Sequence, residues 1–592
     1  MPDLRPLLPF LLLAAAALAA YANAWPDTLV VDDKLFAGHE RFADLSRLGD
    51  FFRESVWAAG GANESLYRPL LMVSVAFDAA LFGDHYAAWH LVNVFLHVLA
   101  TLLVYLLLRQ LLRLSAAPDE PGALVALLAA LVFAVHPVHA EVVNSIFNRS
   151  ELLVAVGSAG GLWWLLRYLD ARPALAWTGI WLAYCFVLFS RETGIVLPAL
   201  AVALVWIYTE GSFLAKARRC LPVLAMAAPA LLYLAMRARA VATPVPPSLS
   251  PDGLAAADPL GVTRLVASGG LLQWDSVMHV AGIWLNALRL MVWPRPLLLY
   301  HPQPDQATQV TGLFVHLGLL AAALYLYRRK RPGLLAGLAL FYIALLPSSR
   351  LIGSDGTLPH LAERYLYLPS IGLAVLLAFG LRYLLRRGDR LLAAAPAVLA
   401  LLLLTPLTWA RNADWSNEVA LLEHDYRNGE RVWASLRMLT AAHLLEHNYD
   451  RAVEVCRANE NTQRESGNLG VHCGTAYAMS GDPQRAEQAF LDATEKSNSR
   501  TRAHSNLARL YLTQGRRDEA RAQFELAVES ERNPATRAYR EGLMLVRLYP
   551  EDRARLLEAQ AHFEEALRLQ PRLELAISEL EQVERQLDRL PP

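Results

Sequence analysis

Two patterns of apolar and polar positions divide this chain. Up to about residue 408, long apolar runs alternate with short polar stretches; from 411 onward the apolar residues thin to a helical stripe in charged sequence. A membrane span needs about 20 mostly apolar residues. Runs of that kind read at Leu7–Ala24 and near 89–108, 122–137, 151–168, 174–190, 192–209, 220–236, 312–327, 333–347, 369–385 and 391–408, about eleven spans. Residues 66–83, short and broken by Asp78, predict a helix lying on the membrane, and 277–293 a re-entrant or interfacial one. The first run ends in Ala22-Asn23-Ala24, an ending a cleaved signal peptide also shows. A retained anchor is the expectation, because a multi-span protein follows.

The tail repeats. Ala452, Ala486 and Ala520 are spaced 34 apart. Tyr477, Gly481, Ala486, Phe490 and Ala493 recur as Tyr511, Gly515, Ala520, Phe524 and Ala527, and Ala559, Phe563, Ala566 and Pro571 follow after an insertion of five. Several offsets agreeing in one register is the tetratricopeptide pattern of paired helices, small residues at the crossing and an aromatic in the gap. About four units are expected over 433–585, the first degenerate because Cys456 replaces the aromatic. The predicted fold is all-α: a polytopic membrane helical domain (1–410), a linker or capping helix (411–432) and a tetratricopeptide α-solenoid (433–592). Such a solenoid offers a groove for an extended peptide or partner protein. Cys456 and Cys473 fall on helices that neighbour in the stack; in an oxidising compartment they can join, and otherwise they are two buried thiols.

Charge sharpens the division. Of 592 residues, 55% are hydrophobic, and Lys+Arg balance Asp+Glu at 55 each, so nucleic-acid binding by bulk charge is excluded. Residues 411–592 hold 25 of the basic and 30 of the acidic residues. Basic residues cluster at 109–113, 167–172, 216–219, 328–331 and 386–390, in alternate loops that the positive-inside rule assigns to the cytoplasm. The other loops (25–88, 138–150, 190–192, 237–311 and 348–368) and the tail then face outward. Four cysteines without metal or redox spacing exclude a zinc module, and no Walker loop or dinucleotide fingerprint is present.

Charged groups at membrane depth are costly and carry a functional reading by default. Those of the outward loops are Asp32 and Asp33; Arg68; His136, His139 and Glu141; Arg149; Arg191 and Glu192; and Glu363, Arg364 and Tyr365. Carboxylates serve as general bases toward an attacking hydroxyl, and arginines clamp phosphate by bidentate bonds. Together they read as transfer from a lipid-phosphate donor, because no nucleotide is available outside the cytoplasm. Arg68, Arg149, Arg191 and Arg364 are the candidates for the lipid phosphate. The plainer readings are a solvated acidic loop and snorkelling arginines. For His136 and His139, i,i+3 spacing across Pro137 favours polar packing or donor contact over a metal; the carboxylates are compatible with a divalent cation or with none. His90 and His97 read as interhelical packing.

The constellation resembles the transmembrane and tetratricopeptide-repeat proteins, O-mannosyltransferases of the GT-C superfamily. The matching stretches are VVDDKLF (30–36), YRPL with GDHYAAWHLVNVFLHVLATLLVY (67–105), FAVHPVHAEVVNSIFNRSELLVAV (133–156), SRETG (190–194) and AERYLYLPSIG (362–372). The resemblance implies an inverting enzyme with a dolichyl- or polyprenyl-phosphate sugar donor, and implies Asp32 or Asp33 as the base, Asp32 in preference. Arg191-Glu192 stands where Lys-Glu is usual, Thr193 where Gln is usual, and Asn148 where Gly is usual. These departures, the few repeats and the Ala/Leu/Arg-rich, lysine-poor composition point to a bacterial member in the inner membrane, with loops and repeats in the periplasm. The expected activity moves a sugar such as mannose to hydroxyls of a protein presented by the repeats. The alternatives are a membrane-anchored scaffold for an envelope or secretion complex, and the same fold acting on a lipid or glycan.

Overall fold

The computed structural model describes residues 6–38, 40–56, 66–115, 122–241, 274–349, 361–386, 390–497, 499–570 and 573–591. Parts of the expected outer loops (57–65, 242–273 and 350–360) lie outside the described residues. Among those described, the chain is helical throughout, with no strand. It forms two compact units, the larger ending at Asn428 and the smaller running from Gly429 to Pro592. The helix Glu418–Arg427 therefore folds with the larger unit.

Among the described residues, five helices of the larger unit are long and apolar enough to cross a membrane: Tyr86–Leu114, Pro173–Ser190, Phe213–Val241, Gln306–Arg328 and Ala394–Asp414. A sixth arises if Gly122–Ala134 and Pro137–Asn144, bent by 52°, count as one. Eleven uninterrupted spans are not seen, for a local reason. Expected span 192–209 starts with a 3-10 turn, Glu192–Val196, leaving the helix Leu197–Tyr208; span 333–347 ends as a helix at Leu345. Leu8–Ala20 is 13 residues and Ser370–Leu385 is 16. Each is shorter than a straight crossing requires.

Packing centres on Tyr86–Leu114, against which Leu8–Ala20, Gly122–Ala134 and Arg149–Tyr168 lie. Arg149–Tyr168 and Pro173–Ser190 pack along one another. A Cβ added to Gly161 would sit 2.6 Å from the Ala183 Cβ, so the pair can come together only with glycine there. The short helix Pro69–Phe82 buries Leu71, Met72, Val75 and Ala76. With Phe36, Phe42, Phe51, Trp89, Ile146 and Phe147 they form a satellite core that pins the first loop onto residues 146–147. The Phe36 and Phe147 rings stack at 6.0 Å.

In the smaller unit the repeat pattern becomes helix pairs. The first helices are Trp433–Leu445, Gly467–Met479, Arg500–Thr513 and Pro534–Leu548; the second are Tyr449–Ala458, Pro483–Thr494, Arg517–Ser530 and Arg553–Leu569. In two of the pairs a glycine of the first helix faces the aromatic of its partner: a Cβ on Gly474 would stand 2.5 Å from the Phe490 ring, and one on Gly542 2.8 Å from Phe563. Gly542 keeps the 34-residue register with Gly474 and Ala508, so the five extra residues lie between Gly542 and Ala559. Phe563 is fully buried. Its replacement by Ala is expected to cost about 3–5 kcal/mol, read as a lower denaturation midpoint for this unit.

In the degenerate first repeat Cys456 takes the aromatic's place and bonds to Cys473, with Cα atoms 5.7 Å apart. The pair closes a loop of sequence separation 17. Chain-entropy reasoning gives such a loop about 3 kcal/mol. Cys456→Ser/Cys473→Ser is expected to lower the melting temperature by that equivalent, and reductant should do the same to the native chain while leaving the variant unchanged.

Candidate active site

The two adjacent aspartates are held very differently. They sit on the 3-10 turn Val31–Phe36, which Val31 enters with φ +54°. A β-branched residue in that region is strained, and the satellite core around Phe36 is what over-determines it. Asp33 points inward and is fully buried. Its Oδ1 accepts from the Ser145 hydroxyl (2.9 Å) and the Phe147 amide (2.7 Å), and its Oδ2 from the Ile146 amide (2.9 Å). Asp32 is exposed. One turn thus presents one carboxylate to solvent and spends the other on ordering the backbone before Arg149.

Burial pushes the Asp33 carboxyl up to about 7, against the pull of its three donors. A carboxyl that gains basicity on folding stabilises below its unfolded value, near 4, and loses that contribution as pH rises through about 7. Between pH 5 and 8 the melting temperature of the native chain should therefore fall relative to that of Asp33→Asn. Parallel pH profiles for the two would contradict the assignment.

The arginines are nearly all engaged within the protein. Arg149 has no exposed surface: its Nη2 is 2.5 Å from Asp78 and donates to the Trp89 carbonyl (2.9 Å), and its Nε donates to Asn93 Oδ1 (2.6 Å). Arg149, expected as a phosphate contact, is enclosed by Asp78, Asn93 and the Trp89 carbonyl. Asp78, which seemed only to break a surface helix, is its partner. Arg191 pairs with Glu151 at 3.0 Å and donates to Ser150 Oγ at 3.1 Å. Arg68 clamps Glu192 through Nε (3.0 Å) and Nη2 (2.6 Å), while its buried Nη1 has no hydrogen-bond partner among the described residues. Burial raises the Glu192 carboxyl, but Arg68 outweighs this and holds it at about 2. The Glu192 side chain is 40% exposed, so water screens part of that effect.

Arg364 is the arginine of this set that reaches a surface, its side chain 18% exposed. Glu141 grips it twice, by the backbone amide (2.8 Å) and Nη1 (2.7 Å). Its guanidinium lies 5.3 Å from the Tyr300 ring and 5.0 Å from the Tyr365 ring. Asp32 and Arg364 both act electrostatically on Tyr300, and Tyr365 on Arg191. Four separated segments thus meet around Arg364: both phenols flank its guanidinium, Asp32 is within electrostatic range of Tyr300, and Arg191 is within that of Tyr365. Glu363, one residue away, points into the protein and pairs with Arg411 at 3.2 Å; Arg411 also meets Asp425 at 3.3 Å.

The histidines are interior. His136 Nε2 meets the Met291 carbonyl (3.0 Å) and its Nδ1 accepts from the Val138 amide (3.2 Å). His139 Nε2 meets Ser370 Oγ (2.9 Å), and His97 Nδ1 meets the Tyr367 hydroxyl (2.7 Å). These are packing and hydrogen-bonding contacts. Among the described residues no group of three or more His, Cys, Asp or Glu side chains is arranged to hold a metal ion. Sequence reasoning missed Tyr300 and Arg411; Tyr300 stands in LLLYHPQP, where no local pattern marks it.

Fold and site define an all-helical protein with apolar helices of membrane-spanning length, joined to tetratricopeptide repeats. The tetratricopeptide repeat family model matches residues 477–540. The chain is 23% identical over 555 residues to protein O-mannosyl-transferase TMTC3 of Mus musculus, covering 87% of this chain and 54% of the relative. It is 25% identical over 466 residues to protein O-mannosyl-transferase TMTC4 of Homo sapiens (69% and 60%), and 25% identical over 574 residues to Tmtc3 of Drosophila melanogaster (83% and 59%). The chain is thus related to the transmembrane and tetratricopeptide-repeat proteins its motifs resemble, and it spans little more than half the length of these relatives. The yeast Tom70 crystal structure aligns over 80% of this chain and 82% of that one at 11% identity, with a TM-score of 0.26.

Proposed function

We propose that the chain is a membrane glycosyltransferase of the GT-C kind, moving a sugar from a polyprenyl-phosphate donor to a hydroxyl of a protein. The observation that carries this is the split acidic pair: Asp32 exposed and within electrostatic range of Tyr300, the ring that Arg364 also approaches, with Asp33 buried on the same turn. In this reading Asp32 takes the proton of the acceptor hydroxyl. The acceptor oxygen bonds to the anomeric carbon from the face opposite the phosphate, and the bond from that carbon to the phosphate oxygen breaks with inversion. Arg364, between two phenols, meets the charge that develops on the departing lipid phosphate, while Arg68 and Arg191 are held by Glu192 and Glu151. That its relatives are protein O-mannosyl-transferases supports a protein acceptor.

The site side and the repeats face away from the cytoplasm in this proposal, the periplasm for a bacterial chain. The alternation of basic loops supports that orientation, and so does the Cys456–Cys473 disulfide, since such bonds persist in oxidising compartments. A scaffold would require only an anchor and gives no reason for an exposed carboxylate over a strained turn.

The reading is tested with the full chain in membranes, radiolabelled polyprenyl-phosphate mannose and other lipid-linked sugars, and protease digestion of the product. Protease-sensitive label of inverted anomeric configuration is expected. Label confined to lipid or glycan would replace the protein acceptor, and no transfer from any donor by folded protein would return the chain to the scaffold class. Arg364→Lys keeps the charge and loses the fork, and is expected to lower transfer by about 10²–10³-fold.

A further inference from the structure

The smaller unit carries more acidic than basic residues, yet its helices divide the charge unevenly. The four first helices of the repeats hold seven arginines and a single carboxylate, Glu541; the four second helices hold eight arginines and eleven carboxylates. The first helices pack side by side, Trp433–Leu445 on Gly467–Met479 and that helix on Arg500–Thr513. Their polar side chains reach across the joints. Arg502 donates to Asn468 one repeat back, and Arg540 Nη1 donates to Ser505 Oγ at 3.0 Å. Arg437 and Arg502 both act electrostatically on His472, and Arg509, Arg540 and Arg547 on Tyr539, so with these cross-repeat bonds the basic residues of the first helices neighbour one another from repeat to repeat.

Part of that charge is met inside the unit. Arg540 pairs with Glu531 at 3.0 Å and Arg547 with Glu579 at 2.8 Å. Among the described residues no carboxylate lies within ion-pair distance of Arg437, Arg502 or Arg509, and both Arg502 and Arg509 are exposed. Partial burial of its guanidinium, and to a lesser degree the neighbouring Arg437 and Arg540, push Arg502 below its usual range. Holding three unpaired guanidiniums in one row opposes folding, and an anionic partner would relieve it.

We infer that this face of the first helices binds an acidic, extended polypeptide segment, with Arg437, Arg502 and Arg509 as its carboxylate contacts. A row crossing successive repeats suits a strand of spaced carboxylates better than one small anion. The inference deepens the reading of the repeats as the part that holds the acceptor, but its measurement requires no sugar transfer, so either can fail alone.

The test uses the full chain in nanodiscs of zwitterionic lipid and a fluorescein-labelled Glu-rich peptide, with the matched Gln peptide as comparison. The Glu peptide is expected to bind at least about tenfold more tightly, with affinity falling as salt rises. R437Q/R502Q/R509Q should lose about tenfold, R502K should stay within about threefold, and R521Q on a second helix should change nothing. Equal binding of the two peptides by the native chain would overturn the inference without reference to any variant. So would unchanged binding by a helical triple variant, or phosphatidylglycerol vesicles competing as well as the Glu peptide, which would assign the face to a membrane.

Discussion

Replacing Asp32 with Asn is expected to lower sugar transfer by about 10²–10⁴-fold, the usual contribution of a positioned general base, while leaving the melting temperature within about 1 °C. The exposed Asp32 carboxylate is within electrostatic range of Tyr300 and lies outside the satellite core that holds its turn. Asp33→Asn should behave differently. An Asn amide cannot accept from all of Ser145, Ile146 and Phe147, because its nitrogen would confront a backbone N–H. That variant is expected to lose about 1–3 kcal/mol of stability. Any loss of its transfer should be recovered at temperatures where the turn is ordered. Measuring both variants for transfer and thermal stability separates a reacting carboxylate from a positioning one.

The largest expected effect on stability belongs to Arg149. Its guanidinium is fully enclosed and ties Asp78, Asn93 and the Trp89 carbonyl to the start of Arg149–Tyr168. Removing one member of a buried pair leaves an uncompensated charge and costs about 3–5 kcal/mol. Arg149→Met should therefore reduce folded protein in membranes sharply, and Asp78→Asn somewhat less. Arg149→Met/Asp78→Leu, which removes both charges, should recover much of the loss. A double variant as unstable as the single one would show that the hydrogen bonds to Asn93 and Trp89, and not the ion pair, carry the site.

The elements that repeat, or that bury a continuous apolar stripe, were the legible ones. Ala452, Ala486 and Ala520 announced the solenoid because a 34-residue period reflects one packing unit used again. The bends were not legible: Pro137 marks the 52° turn after Gly122–Ala134, but hydropathy averages over it and reads one span. At the site, the charged residues could be listed from sequence while their roles could not. Arg149, Arg191 and Arg364 look alike in a string; depth and partners separate them. Asp78 was visible only as an interruption, since its partner lies far along the chain. Tyr300 carried no signal, because a phenol beside an arginine acquires meaning only through the fold.

The account rests on Asp32 acting on a bound acceptor, and one comparison tests that most directly. Native membranes containing the wild-type chain or Asp32→Asn, matched for folded protein, would receive labelled polyprenyl-phosphate sugar. Label entering protein with wild type and about 10²-fold less with the variant is the predicted result. Equal transfer by both would contradict it and remove Asp32 from the chemistry.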